Sequence, residues 1–220
     1  MRDRSAPHTS MRQSIVIRCF GDSLTAGFQS PTPANPAGKE TPYGRFLQDC
    51  LGDIALVQIS GICGELTRDM IIRFQHDVLN HNPVYVPILG GTNDLGWNVA
   101  PEDIAHNLAT LYERTLDAGG VPIPITVPSI RVEGYESSLE WREWVAGHLA
   151  RRHRLNTLIK GYAVSKGLAW VDLFSATADS DSGQLAHVYS NDGLHLTTAG
   201  YRLFAEEVAH VLRPLLHPAR

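Results

Sequence analysis

IVIRCFGDSLTAG, residues Ile15–Gly27, is an apolar run that stops at a glycine and opens onto small polar residues. Ile15 to Phe20 suffices for one buried strand. A strand ending in glycine opens onto the carboxyl edge of a parallel sheet, where α/β proteins seat their ligands. Ser23 falls just past that edge. A serine there is either a nucleophile or a helix N-cap. The local sequence alone favours the cap. Asp192 and His195, far down the chain, reverse that balance.

Outward from this stretch the same pattern repeats. Gln29–Thr41 is rich in Pro, Gly, Ala and Asn and is expected to be a surface loop. Four further apolar runs follow: Ala55–Ile59, Val84–Leu89, Val121–Val127 and Leu168–Leu173. Helical periodicity separates them, over Tyr43–Leu51, Thr67–Leu79, Pro101–Ala118 and Ser137–Lys166, the last readable as two pieces, and closes the chain over Thr198–Leu215. Pro101 near a first turn and Gly119-Gly120 after a last one mark the third helix. Tyr201, Phe204, Val208, Val211, Leu212 and Leu215 share one face of the final helix. Short apolar runs alternating with helices imply a parallel sheet covered on both faces. Pro87, inside the third run, is a misfit, because proline donates nothing to a sheet ladder.

Composition narrows the function classes. The 220 residues carry a net charge of −4, so no basic excess points to nucleic acid or anionic lipid. No apolar run is long enough to span a membrane. Cys19, Cys50 and Cys63 lack CxxC or metal-ligand spacing, which fits reduced thiols in a cytoplasmic compartment. The first residues, MRDRSAPHTSMR, have no apolar centre of a signal peptide. They are expected to form a loose tail over 1–13, before a single domain over 14–217.

In such a sheet the loops after the strands gather on one edge. Gly21-Asp22-Ser23-Leu24, Gly61-Ile62-Cys63-Gly64-Glu65 and Gly90-Gly91-Thr92-Asn93-Asp94 follow the first three runs, and Asn191-Asp192-Gly193-Leu194-His195 precedes the last helix. Brought together, they hold what acyl transfer needs. A serine hydroxyl is a weak nucleophile until a base takes its proton. Histidine, with an unperturbed pKa of about 6.5, suits that role. An aspartate on its other ring nitrogen fixes the tautomer and stabilises the imidazolium. The Asp192-x-x-His195 spacing lets the carboxylate reach Nδ1 within one turn. Backbone N–H groups of Ser23 and Gly64, with the Asn93 amide, are candidate oxyanion donors.

GDSL at 21–24, the glycine of SGICGE at 60–65, GTND at 91–94 and DGLH at 192–195 resemble, in order and spacing, the four blocks of the SGNH (GDSL) hydrolases. The resemblance covers most of the chain. It implies a flavodoxin-like, three-layer α/β/α sandwich with five parallel strands. It also implies an esterase or acylhydrolase that uses no metal or organic cofactor and takes a small-molecule ester. Ser23 would be the nucleophile, His195 the base with Asp192 its partner, and Gly64 and Asn93 oxyanion donors. The second block departs from the family in lacking its asparagine, with Gln58 or Ser60 nearby. Gly61 competes with Gly64, and Glu65 after Gly64 parallels the family's acidic residue. No GxSxG elbow surrounds Ser23.

Plainer roles are expected for the neighbours. Asp22 is read as a buried carboxylate bonded to loop amides, and Asp94 as a loop organiser. The nine histidines other than His195, and Arg151, Arg152 and Arg154, are read as surface groups. Trp141 and Trp144 are expected to cover the core. Trp97 either joins the core or lines an acyl pocket. Short acyl chains are expected, with a carbohydrate O-acetyl esterase, a lysophospholipase or a thioesterase as alternatives. The non-enzyme alternative is a flavodoxin-like binding module. It would need a Gly-rich phosphate cradle, which the first strand does not carry. The sequence gives no oligomeric state.

Overall fold

The computed structural model describes residues 15–133 and 138–217. The expected tail and the first residue of the Ser137 helix lie outside them. Strands are β1 (Ile15–Gly21), β2 (Phe28–Gln29), β3 (Lys39–Glu40), β4 (Ala55–Gly61), β5 (Tyr85–Leu89) and β6 (Val121–Pro124). Helices are α1 (Ser23–Ala26), α2 (Tyr43–Leu51), α3 (Thr67–Asp77), α4 (Thr92–Gly96), α5 (Pro101–Asp117), α6 (Leu139–Ser165), α7 (Leu173–Thr177) and α8 (Thr198–Leu216). The region expected as two helical pieces is therefore one, α6.

The main sheet is parallel, in the order β4-β1-β5-β6, and a small ribbon pairs β2 with β3. α2 packs with α8, and α5 packs with both α3 and α6. Right-handed crossovers put the first pair on one face of the sheet and the other three on the opposite face. The layers close over Ile17, Phe20, Val86, Ile88 and Ile123 from the strands and Phe74, Leu108, Ile159, Phe204 and Val208 from the helices, all buried.

Four strands form where the family resemblance implies five, and the prolines explain the difference. Val121 and Ile125 donate to Val84 and Ile88 of the neighbouring strand. The alternate residues, Pro122 and Pro124, therefore face the opposite edge, and they have no N–H to offer there. The fifth apolar run docks on that edge only through Val171, a single parallel bridge to Ile125. Asp172 then ends the run by capping α7. Pro87 acts similarly inside the sheet. Pairing of β1 with β5 lapses between Ile17↔Tyr85 and Phe20↔Ile88, where Pro87 lacks its donor, while pairing to β6 continues.

Register sets the site. Gly21 lies beside Gly61 on one side and Leu89 on the other. The three following loops thus leave the sheet at one level. The chain passes from β1 outward to both sides, so Ser23 stands at the topological switch point, where doubly wound sheets open a crevice.

Candidate active site

Ser23 is the first residue of α1, and Asp22 is its N-cap, accepting from Leu24 N at 2.9 Å. The cap role is thus taken by the neighbour. Ser23 is left with a first-turn N–H that has no intrahelical partner. Its hydroxyl makes no hydrogen bond among the described residues. Asp22 is fully buried, with Oδ2 unpartnered among those residues. Burial pushes its carboxyl up to about 6, against the hydrogen bond from Leu24 N.

His195 meets this end of the sheet from the other end of the chain. Its ring lies edge-on to Phe28, just past α1, with centroids 4.6 Å apart. Nδ1 is 2.8 Å from Asp192 Oδ2, so the network places the ring proton on Nδ1 and leaves Nε2 as the basic nitrogen. Asp192 Oδ1 accepts from His195 N at 2.7 Å and Leu194 N at 2.9 Å. Ser30 Oγ also donates to Asp192. Burial alone would raise this carboxyl, but the bonds from His195, Ser30 and the two amides outweigh it and hold it well below the usual range. The β1–α2 loop clamps the segment further. Gln29 donates to Thr198 Oγ1 at 3.0 Å, and Tyr201 donates to the Phe28 carbonyl at 2.7 Å. Ser23 and His195 therefore share one end of the molecule, without a direct hydrogen bond between them. Catalytic hydrogen bonds in unliganded enzymes are often long and tighten with substrate.

The two competing glycines separate by geometry. A Cβ on Gly61 would come within 2.2 Å of Ala26 N, so this glycine lets α1 pack against β4. Gly64 has φ +76° and open space around it. Asn93 Nδ2 donates to the Glu65 carbonyl at 3.0 Å, which joins the second and third loops beside Gly64. Glu65 is held by Arg73 through two short bonds of 2.6 and 2.5 Å. Arg73 also donates to the Gly21 carbonyl at 3.0 Å, tying this turn to the end of β1. Asp94 accepts from Thr67 N and Oγ1 at the start of α3, the loop-organising part expected of it.

Four surface or core assignments need correction. Arg152 is buried, 1% exposed, and His148 is 4% exposed. Trp141 and Trp144 stack on each other at 4.9 Å instead of sealing the core. All four line a cavity of about 600 Å³, with Asn93, Trp97, Ile130, Asp192 and Leu194. Trp97 stands at its rim, 77% exposed. Ser30 and Phe28, which touch Asp192 and His195 from β2 and the residue after it, were not foreseen from the sequence. Helical spacing of 141, 144, 148 and 152 was the available signal for a shared face. Among the described residues no cluster of three or more His, Cys, Asp or Glu side chains is arranged to hold a metal.

The model of the GDSL-like lipase/acylhydrolase family matches residues 19–203, from β1 into α8. The chain belongs to that family. The uncharacterized lipoprotein YqeF of Bacillus subtilis is 24% identical over 214 residues, covering 87% of each chain. The lipase/acylhydrolase of Enterococcus faecalis superposes with a TM-score of 0.72 at 23% identity, over 94% of this chain and 99% of that one. A carbohydrate acetylesterase of Sinorhizobium meliloti gives 0.71 at 20% identity, over 92% and 100%. At such identities these structures share the GDSL fold with this chain. No helix among the described residues is long and apolar enough to cross a membrane.

Proposed function

We propose that the protein is a serine esterase that hydrolyses carboxylic esters through an acyl-enzyme. The observation that carries this reading is the His195–Asp192 pair, held by Ser30 and Phe28 against the edge where Ser23 begins α1. Ser23 Oγ attacks the ester carbonyl as His195 Nε2 takes its proton. The resulting oxyanion accepts hydrogen bonds from Ser23 N, Gly64 N and Asn93 Nδ2. His195 then protonates the leaving alcohol, and the acyl group stays on Ser23. Water, activated by the same nitrogen, attacks this acyl ester, and collapse of the second oxyanion returns Ser23 and releases the acid. Asp192 keeps the tautomer and stabilises the imidazolium formed in each half.

The test is covalent labelling. A fluorophosphonate probe is expected to modify Ser23, identified by peptide mass, and Ser23→Ala and His195→Ala are expected to abolish it. Unlabelled wild-type protein without turnover on p-nitrophenyl esters would refute the reading, and bound flavin colour would favour a binding module.

A further inference from the structure

The cavity beside the dyad has an unusual floor. Trp141, Trp144 and His148 form a stacked column along one face of α6, with ring centroids 4.9 and 5.2 Å apart. Arg152 ends that column, its Nε 3.2 Å from His148 Nε2. Its Nη1 donates to the Pro128 carbonyl. Its Nη2 has no hydrogen-bond partner among the described residues, and the guanidinium forms no ion pair with any of them. A cation this deeply buried is ordinarily paired, because desolvation without a counter-charge costs several kcal/mol. Burial lowers it only to about 10, so it stays charged at neutral pH. Its nearest charged neighbour on α6, Arg151, adds repulsion. Arg151 Nη2 lies 3.2 Å from the other nitrogen of His148. Burial, then the two arginines, push that imidazole down to about 4, so it is neutral. Asp192 also lines the cavity, but its oxygens are engaged by His195, Ser30 and two amides. Among the described residues Asp22 is the one carboxylate whose charge reaches Arg152, and it offsets the burial only in part, without a direct bond.

We propose that Arg152 is the recognition group for a carboxylate on the substrate, so that the preferred esters are anionic, their charge seated past the indole walls on Nη2. This rests on the esterase reading above. The cavity volume of about 600 Å³ is within the range of small-molecule sites, roughly 300–1,000 Å³. It is also lined by Asn93 and Asp192, so a ligand there would adjoin the proposed oxyanion donor and the partner of the proposed base.

Two matched pairs of esters test the proposal. The p-nitrophenyl monoester of glutaric acid differs from p-nitrophenyl pentanoate only in the terminal carboxylate of its acyl chain. Para-acetoxybenzoate differs from phenyl acetate by a carboxylate on the alcohol side. In one pair kcat/KM is expected to favour the charged member by about tenfold or more, and that pair identifies the side entering the cavity. Arg152→Met is expected to cut the ratio by about tenfold, and Arg152→Lys to keep part of it. If Arg152 only supports Asp22, Arg152→Met lowers both members alike. An unchanged ratio, or a wild type that favours the neutral member of both pairs, overturns the proposal. If Arg152→Met does not fold, the wild-type enzyme decides. Glutarate is expected to inhibit phenyl acetate hydrolysis about tenfold more strongly than the neutral glutaramide, and equal inhibition overturns the proposal. Fluorophosphonate labelling separates the two claims. Ser23 labelled without charge preference removes the role of Arg152 and leaves the esterase, whereas no labelling and no turnover removes the esterase.

Discussion

Arg73→Met tests whether the turn carrying Gly64 is pinned by one guanidinium. Arg73 is 12% exposed and Glu65 only 7%, so their pair is close to a buried one. Met keeps much of the side-chain volume and leaves the contact over the Phe20 ring, now at 4.2 Å, partly filled. What goes is the charge, with five bonds of 3.0 Å or less: two to Glu65, and one each to Asp77, Ser60 Oγ and the Gly21 carbonyl. Removing one partner of a buried pair costs about 3–5 kcal/mol, mostly because the other charge is stranded. At about 2–4 °C per kcal/mol for a chain of this size, Tm is expected to fall by roughly 6–20 °C. Urea unfolding followed by circular dichroism measures the loss directly. Adding Glu65→Gln is expected to recover part of it, since no stranded carboxylate then faces the gap at that position. Activity should drop in both variants, because the Glu65 carbonyl also holds Asn93. A loss under about 1 kcal/mol, the level of an exposed pair, would refute the argument. So would a double variant no more stable than Arg73→Met alone.

Two further predictions concern the loops themselves. Asn93→Ala is expected to lower kcat by roughly 10²–10³. It forfeits one bond to the Glu65 carbonyl, so stability should fall by only about 1 kcal/mol. Turnover within about threefold of wild type would remove Asn93 from the oxyanion role. Asp22→Asn keeps an acceptor for Leu24 N but removes a carboxyl that burial raises to about 6. A carboxyl raised in the folded state binds more protons folded than unfolded, so its contribution to stability declines as pH climbs from about 4 to about 6. The Asn variant is therefore expected to gain on wild type between about pH 4 and pH 7, by at most roughly 3 kcal/mol, as read from denaturant midpoints. A difference that stays flat with pH would show that the Asp22 carboxyl carries no such strain.

What the sequence made legible follows the range of the interactions involved. The alternation of short strands with helices, and the parallel sheet between helical layers that it implies, follow from local patterns and were readable, whereas the strand order and the register of Gly21 with Gly61 came only with the structure. Asp22 as a buried loop carboxylate was readable too, since a short polar side chain before a helical turn has few other uses. The failure of the fifth apolar run to form a strand was half legible. Pro122 and Pro124, two residues apart, already mark an edge that cannot accept a full neighbour, and Asp172 marks a cap. Phe28 and Ser30 were not readable, because a Pro- and Gly-rich loop gives no period from which to infer a facing partner.

Arg152 shows where composition misleads. Arg151-Arg152-His153-Arg154 has the look of a solvated helix face, and for Arg154, paired with Glu102 at the surface, it is one. Arg152, two residues earlier, is buried because the chain after β6 folds over α6 and offers it the Pro128 carbonyl. The period of α6 does distinguish these fates, because Arg152 falls on the buried stripe and Arg154 does not. Apolar residues at 155 and 159 continue the buried stripe, and 148 and 152 extend it with polar groups instead of ending it. A helix that carries its buried face into charge, at a cavity, has a cation where packing alone would put leucine. Stability does not account for that choice, since an apolar residue of similar volume would avoid the desolvation cost. Two accounts remain, support of the buried Asp22 carboxyl and a ligand that meets the charge, and the Arg152 ester ratios decide between them.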